Sequence, residues 1–165
     1  MNRKGKYIDN FDGTVSIPLT QGKFALIDFD DLPIIKNYTW CYDNGYARTT
    51  IVKGGKQITL RMHRLIVKDY ENKEIDHING NRSDNRKINL RACFHSENLK
   101  NQTIRSTNKS GYKGVCWQKS KRKWRATIYV EKKQKHLGLF DCPNEAHKAY
   151  VKASDIYFGE FSNHG

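Results

Sequence analysis

Residues 75–98, IDHINGNRSDNRKINLRACFHSEN, limit what this chain can fold around more than any other stretch. Asp76 and His77 stand side by side, a loop rich in Asn, Gly and Arg follows, and Asn89 and Asn98 come after it. Asn79-Gly80-Asn81 tolerates the left-handed backbone that a tight turn needs, so the flanking segments are expected to pair as two short strands. The first would run from Lys73 to His77. The second would run from Lys87 to Ala92, with Ile88 and Leu90 pointing one way. Between them residues 82–87 read as a basic, solvated loop able to lie on phosphates through Arg82 and Arg86. Ser96, Glu97 and Asn98 then read as the start of a helix, with Ser96 as its cap.

The chemistry of these side chains is specific. Asp and Asn offer hard oxygen ligands of the kind Mg takes, and His removes protons near neutral pH. Together they point to metal-assisted hydrolysis of a phosphodiester. His95 competes with Asn98 as a ligand, since one helical turn puts both on nearly the same face. Spacing from Asp76 favours Asn98, because imidazole suits softer metals. His63, set among Met62, Leu65 and Ile66, reads as a hydrogen-bonded packing residue outside the catalytic set.

The segments MHRLI, DHINGNRSDNRKINLR and SEN, across residues 61–102, resemble the HNH homing endonuclease family and its ββα-metal finger. Asn98 stands where many members have a third His, so the chain is similar to the HNN subgroup of phage-type nicking enzymes. The resemblance implies that His77 is the general base and that Asp76 and Asn98 hold one divalent cation, Mg or Mn. Asn89 would tie the two strands together and keep His77 oriented.

A formal charge of +13 in 165 residues, most of it after residue 98, implies a polyanionic partner, here double-stranded DNA. Cys41, Cys93, Cys116 and Cys142 are scattered with no CxxC pair, so neither a structural Zn site nor a disulfide framework is expected. With no secretory signal and no apolar run of about 18 residues, a soluble, cytoplasmic protein without membrane contact is expected. No small-molecule substrate is indicated. A monomer is expected, with a dimer as the alternative.

Residues 1–60 read as short strands, GTVSIPLT, KFALIDFDD, YARTTIVKGG and KQITL running on into RMHRLI, with LPIIKNYTW as a helical turn. Asp43-Asn44-Gly45 and Gly54-Gly55 mark turns. Asp28, Asp30 and Asp31 read as a solvated strand end. This region has no evident chemistry of its own beyond DNA-backbone contacts through Arg61 and Arg64 just after it.

Leu99–Ser110 is polar and suits a linker. GYKGVCWQKS, KWRATIYV and KHLGLF then read as three strands, with Val115, Trp117, Trp124, Ala126, Ile128 and Val130 turned to a core. Pro143 opens a helix carrying Ala146, Ala149, Tyr150, Ala153 and Tyr157 at helical spacing. The pattern YKGV, KWRATI, HLGLF, EAHKAY resembles the plant ethylene-response-factor (Apetala-type) DNA-binding domain, whose sheet lies in the major groove. Carried over by position, Gly114, Cys116, Gln118, Arg125, Thr127, Tyr129, Gln134 and His136 would face DNA. Lys113, Lys119, Lys121, Arg122 and Lys123 would hold phosphates. This chain departs from the plant pattern at several of these positions, so the plant target sequence does not transfer.

The expected fold is therefore α+β: an N-terminal β scaffold over 1–60, an HNH finger over 61–102, a linker over 103–110, and a three-stranded antiparallel sheet packed on one helix over 111–165. The expected function is that of a site-specific DNA endonuclease of the homing type. The alternative is a non-catalytic DNA-binding regulator that retains the finger; an RNA-binding role has the charge but no recognisable RNA module.

Overall fold

The structure, a computed structural model, describes residues 5–68, 70–104 and 106–165. It has the expected α+β character. Two compact units divide the chain, Met1–His95 and Ser96–Gly165. The division between these units falls between His95 and Ser96. The N-terminal strands and the paired finger strands share one core, so they form one unit.

In the first unit β1 (Ile8–Asp9), β2 (Thr14–Pro18) and β3 (Phe24–Asp28) make an antiparallel sheet in that order. Alternation works as expected: Val15, Ile17, Ala25 and Ile27 turn inward and are buried. The helical turn α1 (Leu32–Ile35) follows, then a second sheet of β4 (Cys41–Asp43), β5 (Tyr46–Lys53) and β6 (Lys56–Arg61). Both hairpin turns of this sheet have two residues. Asn44 and Gly45 close β4 onto β5, and Gly54 and Gly55 close β5 onto β6, all four with positive φ. Such turns match the natural twist of paired strands.

MHRLI does not extend the last strand. It turns into α2 (Met62–Ile66), burying Met62, His63 and Ile66 in one turn. β7 (Glu74–His77) then pairs antiparallel with β8 (Leu90–Cys93). Lys87–Asn89 forms a 3-10 turn rather than the start of that strand, which leaves Ile88 81% exposed while Leu90 is buried. Ile75 and Leu90 join Trp40, Met62 and the strand residues in the core.

The one-turn helix α3 (His95–Asn98) begins a residue before the expected cap, so Ser96 lies inside it. In the second unit β9 (Val115–Gln118), β10 (Lys123–Val130) and β11 (Lys133–Phe140) form an antiparallel sheet with β10 central. Against it packs α4 (Pro143–Phe158), opened by Pro143 and capped by Cys142, whose Sγ accepts from the Glu145 amide. Ala146, Tyr150 and Ala153 of α4 meet Val115, Ala126 and Ile128. Three positions differ from expectation. Trp117, on edge strand β9, stays 46% exposed although it meets Trp124 edge-on. Tyr157 is exposed beneath the Lys135 ammonium rather than in the core. Gly114 faces α4, not solvent: a Cβ there would lie 2.0 Å from the Tyr150 ring. No described helix is long and apolar enough to cross a membrane.

Candidate active site

Successive residues of β7 turn to opposite sides. Asp76 meets its register partner Arg91, whose Nε and Nη2 donate to Oδ2 at 3.1 and 2.9 Å. Arg91 carried no role in the sequence reading. Its signal there is only the expected pairing of β7 with β8, which puts opposite charges across the ribbon.

His77 is buried at the end of β7, with its ring edge-on to His63 at 5.0 Å and to Tyr46 at 5.9 Å. Its Nε2 lies 3.4 Å from Oδ1 of Asn85, a residue with no exposed surface. The Asn85 amide nitrogen donates to the Ser83 carbonyl, so its oxygen is the atom turned to His77. An oxygen only accepts, so in the tautomer in which Nε2 donates to it, Nδ1 is the unprotonated nitrogen. Burial lowers the His77 pKa, against the raising effects of the Asn85 bond and of Asp76 and Asp84. The imidazole is therefore neutral near pH 7, the form a general base requires.

Asn85 is thus a partner of the His77 ring that the sequence reading did not name. Asn89 acts one step further out: its Oδ1 accepts from the Asn79 amide, its Nδ2 donates to the Asp84 carbonyl, and its own carbonyl accepts from the Ile78 amide. These bonds hold the loop closed behind β7.

That loop is solvated only in part. Asp84 and Asn85 are buried, and their backbone is laid against β3: the Leu26 amide donates to the Ser83 carbonyl and the Asn85 amide to the Leu26 carbonyl. Arg86 makes two bonds to Asp84, at 2.8 and 2.7 Å, and these hold the Asp84 carboxyl below its ordinary range. Arg86 is therefore only partly available to DNA. The acidic cluster of the first unit also has a structural task. Asp28 accepts from the Lys87 amide, and buried Asp31 pairs with the Lys87 ammonium at 3.0 Å.

His63 is a packing residue, as its setting suggested, but it packs directly beside His77. Burial, with His77, Arg61 and Arg64 adding, pushes its pKa down to about 3. Below pH 6.5 the unfolded chain takes up a proton here that the folded chain refuses, so stability is lost as pH falls from 6.5 toward 3. The expected slope is up to about 1.4 kcal/mol per pH unit. Urea unfolding midpoints measured at descending pH should show it, and His63→Gln should flatten it. An equally steep slope in that variant would assign the acid sensitivity elsewhere.

Arg61, Arg64 and Arg82 are exposed. Arg61 and Arg82 lie over the Tyr46 ring, and Arg64 over Tyr70. Asn98 belongs to the second unit. In that unit Gln118, Arg125, Thr127, Gln134 and His136 line one shallow concavity with Leu139. Arg125 donates to the Cys116 sulfur, while its Nε is buried with no hydrogen-bond partner among the described residues. Tyr129 is 66% exposed, Arg122 occupies the left-handed position of the β9–β10 turn, and Lys123 pairs with Asp141. Lys113 contradicts its expected role on phosphate. Its half-buried ammonium donates to the carbonyls of Lys100, Gln102 and Asn163, and burial lowers its pKa to about 8. It closes the second unit from within.

Residues 61–100 match the family model described as HNH endonuclease. Among individual proteins, Protein 3.8 of Escherichia phage T7 is 42% identical over 60 residues, 36% of this chain and 50% of that protein. DNA endonuclease I-HmuI of Bacillus phage SP01 is 36% identical over 69 residues, 39% of this chain and 40% of that protein. The uncharacterized HNH endonuclease L560 of Acanthamoeba polyphaga mimivirus is 24% identical over 144 residues, 86% of this chain and 74% of that protein. The chain thus spans half the matched phage T7 protein and less of I-HmuI. The solved structure "DNA binding and cleavage by the HNH homing endonuclease I-HmuI" aligns over 96% of this chain and 87% of that chain, at 22% identity and a TM-score of 0.35.

Proposed function

We propose that this protein is a metal-dependent DNA endonuclease of the homing type, with His77 as its general base. The observation that carries this reading is the setting of His77: buried, neutral, held through Nε2 by Asn85, and next in sequence to a carboxylate fixed by Arg91. Nδ1 of His77 takes the proton from the water that attacks the scissile phosphorus. Asn85 keeps the ring in the tautomer this needs, and Asn89 holds the loop that carries Asn85.

No three of His, Cys, Asp and Glu gather as metal ligands among the described residues. The cation proposed is of the hard kind that accepts a carboxylate, an amide oxygen, phosphate and water. Within the first unit Asp76 would hold it, and Asn98 is the further ligand that the sequence resemblance implies. A Mg or Mn ion, if so bound, would supply positive charge to offset that of the departing oxygen. Arg91 fixes the Asp76 carboxylate through Oδ2.

The β9–β11 face is the DNA reader in this proposal, laid in the major groove with Gln118, Arg125, Thr127, Gln134 and His136 at base edges. Tyr129, Arg122 and Lys123 flank this face. Arg61, Arg64, Arg82 and, in part, Arg86 contact the backbone beside the cut.

Supercoiled plasmid bearing the target, incubated with the purified chain and Mg or Mn, should convert to open circle, and chelator should stop the conversion. A monomer with one such site most simply nicks one strand; linear product would point to double-strand cutting. Tight DNA binding with no conversion in either metal would replace this reading with the regulator.

A further inference from the structure

Three groups meet beside His77 that come from separate parts of the chain. Tyr46 opens β5 directly after the Asn44-Gly45 turn, Arg61 ends β6, and Arg82 sits in the loop after β7. The Arg61 guanidinium lies 4.5 Å from the centre of the Tyr46 ring and that of Arg82 lies 4.8 Å from it. The same ring touches His77, at 5.9 Å between ring centres.

The arrangement is built rather than incidental. Arg82 donates to the Asn44 carbonyl at 3.2 Å, and its aliphatic stem runs along Gly45, where a Cβ would come within 3.3 Å of it. Ser83 donates to the Gly45 carbonyl at 2.8 Å. The nearby cation Arg48, paired across the sheet with Arg61, has its own partner in Asp43 at 3.2 Å. Arg61 and Arg82 have none: among the described residues no carboxylate forms an ion pair with either. Two like charges gathered on one ring and left without a counter-ion repel each other, and an anion placed against both relieves that. Guanidinium is also the group whose fork matches phosphate oxygens.

We propose that Tyr46 is a positioning residue of the cleavage site, holding Arg61 and Arg82 as a two-pronged clamp on one DNA backbone phosphate beside the phosphate that His77 addresses. This rests on the nuclease reading above and gives the N-terminal hairpin a part in the reaction. The ring does not touch the reacting atoms. It sets where the two guanidiniums stand, and so where the strand lies relative to His77.

The test uses the full-length chain in chelator, so that binding is read apart from cleavage. The salt dependence of affinity for a DNA duplex should lose about 0.9 from its log–log slope when Arg61→Gln and Arg82→Gln are combined, as expected for one phosphate contact. Tyr46→Ala should lower the slope similarly, whereas Tyr46→Phe, which keeps the ring, should leave it unchanged. In Mg, Tyr46→Ala should reduce single-turnover cleavage on the order of 10²-fold at saturating enzyme, and Tyr46→Phe should restore it. A folded Tyr46→Ala chain with wild-type slope and rate overturns the proposal, as does a Tyr46→Phe chain equally impaired. Should Tyr46→Ala not fold, the exposed arginine pair decides alone, and an unchanged slope there overturns the clamp. Failure of the wild-type chain to cleave any DNA would sink the nuclease reading, while the slopes in chelator would still decide the clamp.

Discussion

His77→Ala should lower single-turnover cleavage by roughly 10²–10⁴-fold, the usual worth of a positioned general base, and leave DNA affinity near wild type. The separation is expected because the imidazole is buried, while the proposed backbone contacts, Arg61, Arg64 and Arg82, are exposed. Removing the ring also leaves a cavity beside His63 and Tyr46 and an unpaired Asn85 oxygen. Stability will therefore fall, and the comparison belongs at a temperature where the variant remains folded. Affinity measured in chelator and rate measured in Mg separate the two effects. Loss of affinity as large as the loss of rate would remove His77 from the role of base. Cleavage at the wild-type rate would do the same.

Gly114→Ala should destabilise the second unit by about 3 kcal/mol or more, combining left-handed strain with a steric clash. Gly114 has φ +73°, and its missing Cβ would lie 2.0 Å from one Tyr150 ring carbon and 2.6 Å from another. Tyr150 cannot withdraw easily, because it is buried on α4 between Ile128 and Ala153. For a unit of this size such a loss lowers the melting temperature by something like 15 °C. Trp117 and Trp124 report on this unit and Trp40 on the first, so tryptophan fluorescence of single-Trp chains would show which unit melts. Combining the substitution with Tyr150→Leu should return part of the loss, since the clash goes and the backbone strain stays. No recovery in the double variant would mean that strain alone carries the effect. A melting temperature unchanged by Gly114→Ala would show that α4 does not pack on Gly114 as described.

The same glycine shows how position along a strand can mislead. By alternation Gly114 falls on the side of Cys116 and Gln118, yet it precedes β9, in a turn whose geometry is not that of a strand. Trp117 errs the other way: its parity is inward, but β9 is an edge strand and α4 is too narrow to cover it fully.

Much else was legible. Alternating apolar residues placed β2, β3, β5 and β10, and the Asn44-Gly45 and Gly54-Gly55 pairs placed the hairpins. Pro143 with the alanine spacing placed α4. These signals act over a few residues, through backbone sterics and the period of one element, and need no knowledge of the rest of the chain. The candidate catalytic set was visible for a similar reason: Asp76 and His77 are neighbours in sequence, and their chemistry is unusual enough to stand out.

What the residues around them do was decided at long range. Asp28 and the Lys87 amide are 59 positions apart, Ser83 and Gly45 are 38, and Lys113 and the Asn163 carbonyl are 50. A polar side chain reads as solvated until a partner is brought to it, and a buried one is stable only with that partner. So Asn85, Arg91, Asp31 and Lys113 took their roles from the folded chain. Local sequence sufficed for the strands, the turns and the candidate reactive groups; that Asn85 and Tyr46 stand beside His77 required the packed unit, because hydrogen-bond satisfaction and burial are properties of the whole contact set.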